Sequence, residues 1–145
     1  MRRHPGRGDL SLAVEHYGSA DAPTLLFAHG FGQNRHAWRG SATQLAAEGW
    51  HGIAIDGRGH GDSEWAPNGA YQMEHFAEDL CAIARSVPET PILVGASMGG
   101  LLGLLLEGEV ASSVFRAMVL VDVTPRWETE GVGRILDFMA KHPEG

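Results

Sequence analysis

Pro91-Ile92-Leu93-Val94-Gly95-Ala96-Ser97-Met98-Gly99 is the stretch whose reading decides the fold. The apolar run 91–94 reads as a buried strand, and Leu101 to Leu106, beyond Gly99, reads as a helix. A strand, a tight turn and a helix thus meet at one serine. Small residues two before and two after Ser97 let the backbone bend sharply, which lifts the hydroxyl above the sheet at a helix N-terminus. Ser97 is therefore a candidate nucleophile. An ordinary helix N-cap is the alternative reading of the same residue.

Outward from this turn, three further continuous apolar runs recur, Leu25 to Ala28, Ile53 to Ile55 and Met118 to Val121, each followed by Gly, Asp or a polar turn. Unbroken apolar character marks strands covered on both faces, which predicts an α/β protein with a mostly parallel, doubly wound sheet and helices on both faces. Leu10 to Tyr17 alternates instead, and reads as an antiparallel edge strand. Phe76, Leu80, Ile83 and Val87 repeat at helical spacing before Pro88, and Trp38, Leu45 and Trp50 suggest a looser helix. As the last strand, Met118 to Val121 is expected to present an apolar edge that promotes association. After Pro125 the pattern changes, and Gly133 to Ala140 reads as a new helix.

The 145 residues are 43% hydrophobic, enough for one globular core. Eighteen acidic residues outweigh 11 basic ones for a net charge of −7, and Lys141 is the single lysine, so nucleic-acid binding is not expected. Arg2, Arg3 and Arg7 precede no apolar stretch, and the start reads as a disordered leader rather than a secretory signal. The one cysteine, Cys81, falls on an apolar helical position. No run approaches the length of a membrane span, so a cytoplasmic protein with no membrane partner is expected, its oligomeric state open.

Three motifs now stand in order: His29-Gly30-Phe31-Gly32 after the first buried strand, Asp56-Gly57-Arg58-Gly59-His60-Gly61-Asp62-Ser63 after the second, and the serine turn after the third. Together they resemble the α/β-hydrolase family over essentially the whole chain, and Val121-Asp122-Val123-Thr124-Pro125 is similar to the end of that family's sixth strand. The resemblance implies a core cut after about the sixth strand, with residues 1–126 as its amino-terminal part and 127–145 as the start of a lid or cap. Triad order runs Ser, then Asp or Glu, then His, so the histidine base is expected beyond residue 145.

A serine hydroxyl needs a base to take its proton and donors for the oxyanion it generates. The resemblance implies Ser97 as nucleophile and the backbone N–H groups of Met98 and Phe31 as oxyanion donors, in a loop that also contains Gly30. As side chains, Phe31 and Met98 equally suit an apolar acyl pocket. The resemblance gives His29 a structural role shaping that loop. It also implies that Asp56 and Arg58 form a structural pair, which weighs against reading Asp56, His60 and Asp62 as a metal site; no metal and no cofactor are expected. His16, His36, His51 and His75 read as surface or helix-boundary residues. Asp122, at the carboxyl end of a strand, is either the triad acid or the cap of the next turn.

The reaction these residues imply is serine hydrolysis of a small ester or related carbonyl substrate through an acyl-enzyme. A chain lacking its base, acting as a ligand-binding pseudoenzyme or inert fragment, is the alternative, and a cofactor-free haloperoxidase or perhydrolase of the same fold is another. Nucleotide binding is excluded, because Gly57 to Gly61 lacks the dinucleotide fingerprint and no Gly-Lys-Ser or Gly-Lys-Thr follows any strand.

Overall fold

The computed structural model describes residues 1–111, 113–123, 133, 134, 137, 140 and 141. Its elements are β1 (Arg2–Pro5), β2 (Ser11–Tyr17), β3 (Thr24–Ala28), α1 (Arg39–Ala47), β4 (His51–Ile55), α2 (Met73–Arg85), β5 (Ile92–Ala96), α3 (Met98–Leu105) and β6 (Ala117–Val121). The six strands form one sheet in the order β1-β2-β4-β3-β5-β6. Strands β4, β3, β5 and β6 run parallel, while β1 and β2 are antiparallel to their neighbours. This is the α/β architecture the continuous apolar runs predict.

Period-two alternation along the parallel strands separates two cores. Leu26 and Ala28 face α2 and α3, joining Leu12, Ile53, Ile55, Leu80, Ile83, Leu93 and Leu102. Leu25 and Phe27 face the other way, onto Ala42 with Trp38, Leu45 and Trp50 packed around them. Helix α2 buries Phe76, Ala77, Leu80, Ile83 and Ala84, carries Glu74 in its first turn and Arg85 in its last, and closes where the Ser86 hydroxyl donates to Ile83 O at 2.7 Å. Each fully buried Leu, Ile or Phe in these layers contributes about 1.5–3 kcal/mol relative to exposure.

Three expectations are corrected. Arg2 to Pro5 is no disordered leader: it pairs with β2 from Arg2 opposite Val14 to Pro5 opposite Ser11. Strand β2 is therefore not the edge, and Leu12, Ala13 and Val14 are all buried. Strand β6 pairs with β5 at the end of the sheet and presents the apolar edge expected of it, with Val119 49% exposed and Leu120 and Val121 exposed as well; the covering of both faces read from its continuous apolar run is what does not hold. The expected lid segment 127–145 lies largely outside the described residues, of which Gly133, Arg134, Asp137, Ala140 and Lys141 are helical.

The chain passes from β3 through α1 to β4 on one side of β3, then from β4 through α2 to β5 on the other. Strand order reverses between β3 and β5, and the crevice beyond the carboxyl ends at such a reversal is where open α/β sheets take their ligands. The loop His29 to Gly32 leaves β3 there, and Ser97 leaves β5 there.

Candidate active site

Ser97 sits between β5 and α3 with φ 44° and ψ −111°, a left-handed conformation that a non-glycine residue adopts at a cost of order 1–3 kcal/mol. Two glycines make the turn possible. A methyl group on Gly95 would lie 2.6 Å from Gly100 N, and one on Gly99 would collide with the backbone carbonyl of Ala28. Helix α3 thus lies directly on the end of β3. The backbone of Ser97 is fixed by donating its N–H to Val121 O at 3.0 Å, while its side chain is exposed above the sheet.

Opposite stands the loop after β3. A methyl group on Gly30 would lie 3.5 Å from Ser97 Cβ, so this loop and the serine are direct neighbours. Its N–H groups are almost all committed: Gly30 N–H donates to Gln33 Oε1 at 3.1 Å, Gly32 N–H to His60 Nε2 at 3.3 Å, and Gln33 N–H to Gly30 O at 3.1 Å. Among the described residues, Phe31 N–H and Met98 N–H have no protein acceptor. The Phe31 ring is 57% exposed, whereas Met98 is buried against the core. His29 is buried, and both its nitrogens are engaged: Nδ1 donates to Gly30 O at 2.7 Å and Nε2 accepts from Gly57 N–H at 3.0 Å. Burial first, and the neighbouring His60 in part, hold its pKa below the ordinary 6.5, against the raising influence of the Gly30 carbonyl and Asp56.

Beneath the loops lie two buried ion pairs, and the partners differ from expectation. Asp56 does not pair with Arg58. Its carboxylate, 0% exposed, binds the Arg35 guanidinium and accepts from Arg35 N–H at 2.6 Å and Asp62 N–H at 2.8 Å. Arg58 turns the other way, onto Asp79 of α2, with Nε and Nη2 bonds of 2.7 and 2.8 Å, and donates to Ala70 O at 2.8 Å. Asp62, exposed, takes the second arm of Arg35 at 2.7 Å, and that bond to the guanidinium holds its carboxylate below the usual range. The residues Asp56, His60 and Asp62 therefore serve Arg35 and the loop backbone.

Asp122 follows Val121 at the exposed end of β6, one residue beyond the carbonyl that holds Ser97, and has φ 50°. Aspartate tolerates this region better than most residues. At the opposite end of the sheet, His51 is not a surface residue: it is buried, and its Nε2 meets His16 Nδ1 at 3.0 Å and its Nδ1 meets Thr24 Oγ1 at 3.2 Å. Burial lowers the pKa of both histidines. The sequence reading missed Arg35, Gln33 and the reach of His60 to Gly32; only the polar turn Gly32-Gln33-Asn34-Arg35 after a buried strand marks them.

The alpha/beta hydrolase fold family matches residues 23–141. The chain belongs to that family. It is 38% identical over 105 residues to an esterase of Mycobacterium tuberculosis, covering 72% of this chain and 34% of the relative. It is 34% identical over 108 residues to a bifunctional esterase/perhydrolase of Acinetobacter calcoaceticus, covering 74% of this chain and 36% of that one. Among solved structures, an alpha/beta hydrolase from Novosphingobium aromaticivorans superposes with a TM-score of 0.83 at 31% identity, over 95% of this chain and 49% of the other. The chain thus spans between a third and a half of the length of these relatives, and the relationship is to hydrolases.

Proposed function

We propose that this chain carries the nucleophile and oxyanion half of a serine hydrolase acting on a small ester or related carbonyl substrate. One observation carries the reading: a strained serine stands beside a loop whose Phe31 N–H lacks a protein acceptor while Gly30, Gly32 and Gln33 N–H are committed, and Met98 N–H at the start of α3 likewise has none among the described residues. Ser97 Oγ attacks the carbonyl carbon. The carbonyl π electrons move to oxygen, and the two N–H dipoles stabilise the resulting oxyanion. Collapse expels the leaving group and leaves an acyl-serine, which water then hydrolyses.

The proton of Ser97 needs a base, and His29 is unsuited because both its nitrogens are engaged. The reading assigns the base to a histidine in the length of the relatives that these 145 residues do not span, with Asp122 as its orienting acid. Without that base the chain is expected to bind but not turn over. A perhydrolase reaction uses the same constellation, and the Acinetobacter relative supports it as the second reading. A cytoplasmic setting goes with this picture, Cys81 being the chain's one cysteine.

The test is covalent. A fluorophosphonate applied to the protein from its complete reading frame should give an adduct on the peptide containing Ser97 and none in Ser97→Ala. An adduct elsewhere, or none, overturns the assignment. Adding peroxide to an ester assay separates the perhydrolase from the esterase reading by its peracid product.

A further inference from the structure

The two loops that frame the site are joined by a reciprocal exchange of imidazoles. His29, on the loop after β3, accepts from Gly57 N–H of the loop after β4 at 3.0 Å; His60, on the loop after β4, accepts from Gly32 N–H of the loop after β3 at 3.3 Å. The other nitrogen of each ring faces a carbonyl: His29 Nδ1 lies 2.7 Å from Gly30 O, and His60 Nδ1 lies 2.9 Å from Arg58 O. A carbonyl only accepts, so each Nδ1 carries the hydrogen and each Nε2 is a bare acceptor. Both rings are therefore neutral, in the same tautomer.

These contacts bear on one residue. A peptide unit is planar and trans, so its C=O and N–H point in opposite directions. The Gly30 carbonyl and the Phe31 N–H belong to one such unit, and His29 Nδ1–H holds its carbonyl end. The next unit ends in Gly32 N–H, which His60 holds, and the Phe31 ring rests edge-on against the His60 ring with centroids 5.7 Å apart. Phe31 is thus pinned on both sides by imidazoles.

We propose that His60 is a positioning residue for the oxyanion donor: as the neutral partner of His29 it completes a clasp that aims Phe31 N–H, and a proton on either ring opens it. A protonated Nε2 is a donor, and it would then face the Gly32 or Gly57 N–H with no acceptor between them. The two rings are 5.1 Å apart, so a charge on one also opposes a charge on the other. The groups facing the pair are few. Asp56 favours charge on His29, Arg58 is turned onto Asp79 of α2, and among the described residues the other rings against His60 are those of Phe31 and Phe76. The consequence is an acid-side loss of site geometry that belongs to these rings and not to the catalytic base.

This inference rests on the oxyanion role proposed for Phe31, and its test separates the two. Long-range ¹H–¹⁵N correlation of the imidazoles should find both His29 and His60 with hydrogen on Nδ1 at neutral pH; hydrogen on Nε2 of His60 overturns the clasp. Amide exchange gives the second readout. His60→Phe keeps the aromatic contact and loses the acceptor, so Gly32 exchange should accelerate at least about tenfold, the equilibrium equivalent of one 1.4 kcal/mol hydrogen bond. His60→Gln offers an acceptor that does not titrate, so it should restore protection and flatten its loss on acidification. Unchanged Gly32 exchange in His60→Phe, or pH dependence in His60→Gln equal to that of the wild type, overturns the clasp. Fluorophosphonate labelling of Ser97 should slow in His60→Phe by less than the 10²–10³ of deleting an oxyanion donor, and recover in His60→Gln. No Ser97 adduct in the wild type, with tautomers and exchange as expected, overturns the serine reading and leaves the clasp standing.

Discussion

The two flanks of Ser97 are built differently. On the β3–β4 side, the loops are held by buried groups: His29, Arg35, Asp56, Arg58, Ser63 and Asp79 are each nearly inaccessible, and every one bonds across to another segment. On the β6 side, Val119, Leu120 and Val121 are exposed, Asp122 stands beyond them, and one backbone bond from Ser97 N–H to Val121 O joins the strand to the proposed nucleophile. The contrast separates two tasks. Stabilising an oxyanion requires donors fixed before the reaction begins, because reorganising dipoles during it forfeits their advantage. Placing an acid and a base around a substrate is compatible with a flank that other elements complete.

Five expectations put this contrast to the test. The largest concerns the seam itself: in the protein from the complete reading frame, Ser97→Ala should lower ester turnover by a factor on the order of 10⁶, measured as kcat on a chromogenic ester. A loss of tenfold or less would remove the distinction between the flanks, since neither would then serve Ser97. Next, Arg58→Met leaves Asp79 buried with Arg7 N–H as its remaining donor, and should cost about 3–5 kcal/mol in urea unfolding. Gly99→Ala presses a methyl group into the Ala28 backbone and should cost about 1–3 kcal/mol, together with displacement of the Ser97 turn.

Acid sensitivity ranks fourth and lies at the far end of the sheet. His16 and His51 have folded pKa values below 6.5, so the unfolded chain binds more protons than the folded one as pH falls through that value. The stability they contribute is complete above 6.5 and declines below it. His51→Gln should flatten that part of the stability profile measured by urea midpoint against pH. The smallest effect belongs to the open flank: Val119→Thr should change stability by no more than about 0.5 kcal/mol, because that side chain is already half in water. A cost of several kcal/mol there would show the β6 flank to be packed after all.

The sequence made the strands and the serine turn legible because their signals are local. A continuous apolar run, a Gly-x-Ser-x-Gly turn and a following helix need no distant partner to be read. Strand β1 left no such trace. Arg2-Arg3-His4-Pro5 has no apolar alternation, and its place in the sheet comes from backbone bonds to β2. The Asp56–Arg58 pairing failed for a related reason. Side chains two apart in a turn need not share a side, and each found its partner 21 residues away, Asp56 in Arg35 and Arg58 in Asp79. The proposed oxyanion donors are main-chain groups, which any residue supplies, so Phe31 and Met98 are suggested by their place in the fold and not by their side chains. His60 was legible as part of a glycine-rich turn, but its acceptor role spans 28 residues to Gly32.

The bond from Ser97 N–H to Val121 O makes the last rung of the β5–β6 ladder a mechanical stop for the serine turn. Strand β6 is in register with Ala96 opposite Val121, and a slip of one residue would exchange the faces of every β6 side chain while removing that stop. Any insertion that lengthens the approach to β6 therefore bears directly on where the Ser97 turn sits. Variation in the placement of Ser97 should be sought in the register of that strand as much as in the motif that carries the serine.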